Sequence, residues 1–283
     1  MAENPLVSVI IPTKNSRETI EICLKSIKSQ GYQNTEIIVV DALSTDNTHR
    51  ISEKYGAIVV RKNAGRPEAR NIGAEEAKGE LILSFDSDME LTPRVVEECV
   101  VKVEEGYDAL IIPEVSVGNG FWAKCKALEK SCYIGDELIE ASRFFKREVF
   151  EAVKGYDPEL EAGEDWDLNQ RIRKAGYRVG RIKALIKHHE GRLSLWKTMK
   201  IKYQYGKTLE KYKRKHPNEA KRQLRPIRHG FIRNWRKLAR DPIHAFGMIF
   251  MKMCELFASK LGNVVTERET KIVVKYYECA AQV

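Results

Sequence analysis

The feature that most limits what this chain can fold into is an alternation running through roughly its first 115 residues. Short runs that are apolar on both faces (LVSVIIP, EIIVVD, AIVV, ELILSFD and DALIIP) are separated by helical stretches of ten to fifteen residues. A strand with no polar face must be covered on both sides, and strands joined by helices pair in parallel. The alternation therefore predicts an α/β fold with a mostly parallel sheet and helices on both faces. Local signals set the helix ends: Ser16 as N-cap of a helix reaching Gln30, Pro67 in the first turn of PEARNIGAEEAK, and Thr92-Pro93 opening a helix that stops at Gly106. From about Phe121 the pattern loosens. IEASRFFKREVFEAVKGYD reads as strand, short helix and turn, GEDWDLNQRIRKAG as a helix, and RVGRIKALIKHH as one strand. After Gly191 the chain is helical, with breaks at Pro217, Pro226 and Pro242.

In sheets of this kind ligands sit beyond the carboxyl ends of the strands. Three strands end in polar groups: Pro12-Thr13-Lys14-Asn15, Asp41, and Asp86-Ser87-Asp88. Alone, Asp-x-Asp is a common acidic turn. At the tip of a buried strand its two carboxylates suit Mg²⁺ or Mn²⁺, hard ions that accept one or two protein oxygens and complete their shell with phosphate and water.

Composition narrows the setting. The first apolar run, Leu6 to Ile11, has no basic residues before it and is too short for a signal peptide, and no stretch approaches eighteen uncharged apolar residues. The six cysteines form no CxxC pair and read as reduced, cytosolic thiols. The net charge of +9 is unevenly placed: residues 192–240 hold 17 Lys/Arg and 2 acids, which leaves −6 on the rest of the chain. That asymmetry predicts a neutral-to-acidic body and a basic appendage meeting an anionic partner.

Five segments in order carry a resemblance: VSVIIPTKN, SIKSQGYQNTEIIVVDALSTDNT, RPEARNIGAEEAKGELILSFDSD, RFFKREVFEAVKGYDPELEAGEDWDLNQRIRKAGYRV and HHEGR. Over about Leu6 to Ser194 the chain resembles the family-2 glycosyltransferases of GT-A fold, inverting enzymes. The resemblance implies a catalytic domain at 1–191, with a nucleotide-sugar half to about 115 and an acceptor half at 116–191, followed by a helical extension at 192–283. It implies that Pro12, Thr13, Asn15 and Asp41 cradle the nucleoside of a UDP- or GDP-linked sugar. Arg70, with Arg66 second to it, would meet the diphosphate. Asp88 would bind the metal, and Asp86 the ribose or metal-bound water. Asp165, with Glu164 as its neighbouring rival, would be the general base. His188 and His189 end a strand, where side chains alternate in direction, so one faces the ion; His189 is the expected one. Two departures stand out: Ala42 and Leu43 follow Asp41 where the family often has a second aspartate and a glycine, and Lys154-Gly155 replaces a glycine pair.

A nucleotidyltransferase would need a Gly-rich phosphate loop after the first strand, and PTKNSRET has no glycine. A basic nucleic-acid-binding protein would leave Asp86, Asp88 and Asp165 without a purpose. The tail segment SLWKTMKIKYQYGKTLEKYKRKHP interleaves lysines with Trp196, Tyr203, Tyr205 and Tyr212, and is followed by the apolar DPIHAFGMIFMKMCELFASKLG. An anionic membrane surface accounts for both features, whereas nucleic acid leaves the apolar helix unexplained. The expectation is an enzyme peripheral on the cytoplasmic face of a membrane, acting on a lipid-linked or polysaccharide acceptor. No oligomeric state follows, and nothing functional is read from Thr266 onward.

Overall fold

A computed structural model describes residues 4–280, with side chains through residue 266. Cys279 and the whole segment after Thr266 therefore lie outside the residues with described side chains. The first half runs β1 (Val7–Thr13), α1 (Ile20–Lys28), β2 (Thr35–Asp41), α2 (Thr48–Lys54), β3 (Ile58–Arg61), α3 (Arg66–Glu76) and β4 (Leu81–Ser84). Then come β5 (Met89–Leu91), α4 (Val95–Glu104), β6 (Ala109–Ile111), β7 (Glu114–Asn119), α5 (Phe121–Tyr133), β8 (Ser142–Lys146), α6 (Arg147–Ala152), α7 (Glu164–Lys174), β9 (Val179–Arg181) and β10 (Ile186–Arg192). The remainder is helical: α8 (Leu195–Lys215), α9 (Pro217–Gln223), α10 (His229–Arg233), α11 (Trp235–Arg240) and α12 (Pro242–Ala280).

Seven strands form the main sheet in the order β3-β2-β1-β4-β8-β6-β9, with β8 alone antiparallel to its neighbours. Every residue of β1 and β4 is buried, as their two apolar faces require. Val9 and Ile11 face a core closed by α1 and α4, while Ile10 faces the opposite layer with Phe145 and Leu168. The chain leaves β1 for β2 on one side and returns to β4 on the other. Their carboxyl ends therefore open the crevice that a switch in strand order creates.

A second sheet, β5-β10-β7, crosses this edge. The predicted strand RVGRIKALIKHH is two strands: β9 ends the main sheet, and β10 belongs to the small one. The expected N-cap at Ser16 is replaced by a preceding turn: the Ser16 carbonyl accepts from Thr19 and Ile20, and α1 starts at Ile20.

Two departures from the family pattern fall on special backbone. Leu43 and Lys154 both have left-handed φ, 56° and 63°, a region costly for a residue with a Cβ. The tail does not stand apart: α12 packs along both α8 and α5. Glycines permit the approach to α8, since a Cβ at Gly206 would lie 2.1 Å from the Ser259 carbonyl oxygen and one at Gly262 2.0 Å from that of Tyr203.

Candidate active site

The strand ends converge on a cleft of about 1350 Å³, lined by Pro12, Thr13, Asn15, Arg66, Asp86, Asp88 and Asp165 among others. Helix α3 aims its arginines there because Gly73 lets it settle on β1; a Cβ at Gly73 would lie 2.3 Å from Ile10 Cγ2. Arg66 and Arg70, four residues apart, share the face of α3 that meets the start of α7.

Arg70 is 1% exposed and is enclosed by carboxylates. Its Nη2 donates to Asp86 Oδ1 at 2.8 Å and its Nη1 to Asp165 Oδ1 at 2.8 Å, with Glu164 Oε1 3.5 Å away. Arg66 Nη2 lies 2.8 Å from Glu164 Oε1 and also donates to Tyr205 Oη at 3.1 Å. The order expected for these arginines is thus reversed: Arg66 lines the cleft, whereas Arg70 lies beneath its surface, where it orients Asp86 and Asp165.

The repulsion at the tip of β4 is relieved by protein groups. Asp86 Oδ1 takes Arg70, and Oδ2 lies 3.5 Å from Arg143 Nη1. Burial pushes the Asp86 carboxyl up, but Arg70 and Arg143 outweigh it and hold the group well below the usual carboxylate range. Asp86 therefore faces guanidinium groups on both oxygens, and the expectation that it binds metal or ribose does not match this arrangement. Asp88 points elsewhere, and its side chain is 45% exposed. Glu164 is the opposite case: burial and the adjacent Asp165 charge push it up to about 7, against Arg66 and Arg70.

The histidine beside Asp88 is His188, not His189. His188 Nε2 lies 3.2 Å from Asp88 Oδ2, while His189 Nε2 turns to Glu90 Oε2 at 2.8 Å. The alternation along β10 is as expected and its phase is opposite, set by pairing His188 with Met89 of β5 and Ser116 of β7. Burial opposes a proton on His188, but hydrogen bonds with Asp88 and Glu114 hold the imidazole up at about 9. Among the described residues no group of three or more His, Cys, Asp or Glu is arranged to hold a metal ion. Asp88, with His188 once it gives up its proton, would offer a partial ligand set that suits an ion whose remaining positions come from a substrate phosphate.

At the end expected to take the nucleoside, Thr13 Oγ1 is buried and has no hydrogen-bond partner, and Thr13 lines the cleft. Asn15 braces the loop after β2: its Oδ1 accepts from the Thr45 N–H at 2.9 Å and its N–H donates to Ser44 Oγ at 2.8 Å. Asp41 is fully buried, absent from the cleft lining, and accepts from Ser44 N–H and Arg61 Nε. It shapes the turn that ends β2 instead of presenting a carboxylate to the cleft.

The sequence reading missed Arg143 and Glu114. Arg143 Nε donates to Glu114 Oε1 at 2.6 Å, and its Nη2 lies 4.0 Å from Asp165 Oδ2. Its signal was available: one arginine inside the otherwise apolar strand SRFF. Trp166 packs on Tyr212 and donates its indole N–H to the Ile139 carbonyl.

A mixed, mostly parallel sheet with a carboxylate-lined crevice at its switch point defines an α/β transferase fold of GT-A type. Residues 8–154, just over half of the chain, match the family described as Glycosyl transferase family 2, and the chain belongs to that family. It is 33% identical over 122 residues to the poly(ribitol-phosphate) beta-N-acetylglucosaminyltransferase TarS of Staphylococcus aureus, covering 40% of this chain and 21% of that protein. It is 33% identical over 115 residues to the undecaprenyl-phosphate 4-deoxy-4-formamido-L-arabinose transferase of Proteus mirabilis, covering 37% of this chain and 35% of that one. The chain spans well under two thirds of the length of these curated relatives. Among solved structures, the mannosyltransferase PcManGT of Pyrobaculum calidifontis with GDP-Man and Mn²⁺ superposes with a TM-score of 0.65 at 19% identity, covering 93% of this chain and 88% of that one. TarS 1–349 with UDP-GlcNAc gives 0.57 at 20% identity, covering 96% and 92%.

Proposed function

We propose that this glycosyltransferase is inverting and metal-dependent, moving a sugar from a UDP- or GDP-linked donor to an acceptor hydroxyl. The observation that carries the reading is the placement of Asp88 and Asp165 on one cleft, with Arg70 clamping Asp165 beneath it. A divalent ion held by Asp88 and His188 would neutralise the diphosphate, as metal ions do for leaving oxygens. Arg66, on the cleft wall, supplies protein charge to the same group. Asp165 takes the acceptor hydroxyl proton while that oxygen bonds to the anomeric carbon, and the carbon–oxygen bond to the diphosphate breaks on the opposite side. Arg70 keeps Asp165 aimed, a positioning role. A screen of nucleotide sugars for hydrolysis or transfer, with the product anomer read by NMR, tests this. Inverted configuration is expected, and Asp165→Asn should slow turnover by roughly a hundredfold or more with nucleotide affinity kept. Full activity in that variant would remove Asp165 as the base.

We also propose that the helical extension attaches the enzyme to an anionic membrane surface. Helix α12 is amphipathic in an inverted sense: Lys252 and Glu255 point inward, while Ile243, Phe246, Phe250, Met253 and Phe257 are each at least 50% exposed. Trp196 and Trp235 are exposed, the Arg236 guanidinium lies over the Trp235 ring, and Lys197 follows Trp196 in the chain. Apolar side chains inserted at the headgroup boundary, flanked by lysine and arginine, give attachment that salt only partly reverses. Among the described residues no helix is long and apolar enough to cross a membrane. Cosedimentation with anionic vesicles, weakened but not lost at high salt, is the expected result. Replacing Phe246 and Phe257 by Ser should remove the salt-resistant part. Equal recovery with anionic and neutral vesicles would contradict it.

A further inference from the structure

We propose that the acceptor end of the cleft contains a phosphate-binding subsite, built around Lys202 of α8 and Arg228 just before α10, and that the acceptor is a phosphate ester. The proposal rests on the glycosyltransfer reading and extends it to the acceptor.

The cleft continues from Asp88 along one face of α5 to the helical extension, and Lys126, Lys130, Lys202, Arg228 and Lys252 all line it. Several of these charges are already balanced. Lys126 Nζ lies 2.8 Å from Glu129 Oε2 and 3.0 Å from Glu255 Oε1. Lys252 Nζ reaches the other oxygen of each acid, Glu129 Oε1 and, at 3.3 Å, Glu255 Oε2. Two lysines and two glutamates thus form a neutral quartet, and Lys130 is taken by Glu114, Glu190 and His188.

Lys202 and Arg228 are left over: among the described residues neither forms an ion pair with a carboxylate. Arg228 lies over the Tyr133 ring at 4.9 Å and its buried Nε has no hydrogen-bond partner. Lys202 lies over the Tyr205 ring at 5.2 Å. Burial pushes Lys202 down to about 8 against the attraction of Glu255, with the charges of Lys126 and Lys252 adding to the fall. Cations drawn into a cleft without a counterion are uncompensated, and a phosphate supplies several strong acceptors at once.

The position fits an acceptor. Lys130 Nζ is 2.7 Å from His188 Nδ1, whose other nitrogen faces Asp88, and Lys126 lies one turn further along α5, about 5–6 Å on. Lys202 lies against the Tyr205 ring, and the Tyr205 hydroxyl accepts from Arg66, the partner of Glu164 next to Asp165, so the proposed subsite borders the candidate base. The phosphate could belong to a lipid headgroup or to a soluble polyol phosphate; the recognition chemistry is shared.

The test is calorimetric titration of the full chain, saturated with UDP and Mn²⁺ so that the donor end is closed. The probes are glycerol 3-phosphate, octyl phosphate below its micellar concentration, and uncharged glycerol. Binding of at least one phosphate ester, none of glycerol, a tenfold or greater loss in both Lys202→Ala and Arg228→Gln, and retention in Lys202→Arg are expected. Binding of octyl phosphate alone, with the same lysine dependence, assigns the lipid source; binding of both assigns the phosphate without regard to its carrier. Unchanged affinity in Lys202→Ala, equal binding of glycerol, or no binding of either ester would overturn the subsite. The UDP–Mn²⁺ thermal shift, measured on the same samples, reports the donor site separately. A normal shift beside failed phosphate binding rejects the subsite alone, and an absent shift rejects the donor reading.

Discussion

At the strand-end side of the cleft, Arg70 is enclosed by Asp86, Asp165 and Glu164, all from segments that border the main sheet. At the helical side, Lys126 and Lys252 are enclosed by Glu129 and Glu255, from two helices more than a hundred residues apart in the chain. Both are buried ion clusters, but they use charge differently. The first leaves Asp88 half-exposed, with a carboxylate facing the cleft for an ion, and holds Asp165 in a fixed orientation. The second neutralises its own acids and leaves Lys202 and Arg228 uncompensated. On the reading proposed above, one end receives a cation and a diphosphate and the other an anion.

The largest effect that would break this comparison comes from Arg70. Arg70→Ala leaves Asp86 and Glu164 without a shared buried counterion, and breaking such a cluster on one side costs about 3–5 kcal/mol. Urea unfolding should show that loss, and a change below about 1 kcal/mol would mean that the carboxylates pair adequately without it. The smallest effect concerns the turn after β2, at the end of the cleft proposed to take the nucleoside. Leu43 is half-exposed in a left-handed conformation, and relieving that strain with Leu43→Gly should stabilise the protein by about 1 kcal/mol, net of the glycine's greater freedom when unfolded. A thermal melt that falls instead would show that the Leu43 side chain makes up for its backbone.

The difference between the two ends also explains what the sequence revealed. The strands β1, β2 and β4 were legible because residues apolar on both faces leave few alternatives, and polar strand ends in a parallel sheet must converge. Arg70 and Asp165 were singled out through the family resemblance, but not the fact that one clamps the other, which depends on how α3 and α7 meet. The choice between His188 and His189 could not be read from alternation, because the phase of β10 is fixed by its neighbours in the small sheet, including the register shift between His189 and Gly191. Strands β5 and β7 are too short or too mixed to announce themselves, and nothing local marks the break between β9 and β10. In α12 the sequence showed an apolar run cut by Lys252 and Glu255. Those charges face inward because their partners sit on α5, information no local pattern contains.

The central claim is that the Asp88 end of the cleft binds a nucleoside diphosphate through a divalent ion. Thermal unfolding with UDP or GDP, in the presence of Mn²⁺ or of a chelator, tests it most directly. At 100 times its dissociation constant a ligand stabilises the folded state by about 2.7 kcal/mol, an increase in melting temperature of several degrees or less that is readily resolved. The account predicts a nucleotide-dependent rise with Mn²⁺, little without it, and loss of the Mn²⁺-dependent part in Asp88→Ala. A rise of equal size in Asp88→Ala, or one indifferent to the chelator, would contradict it.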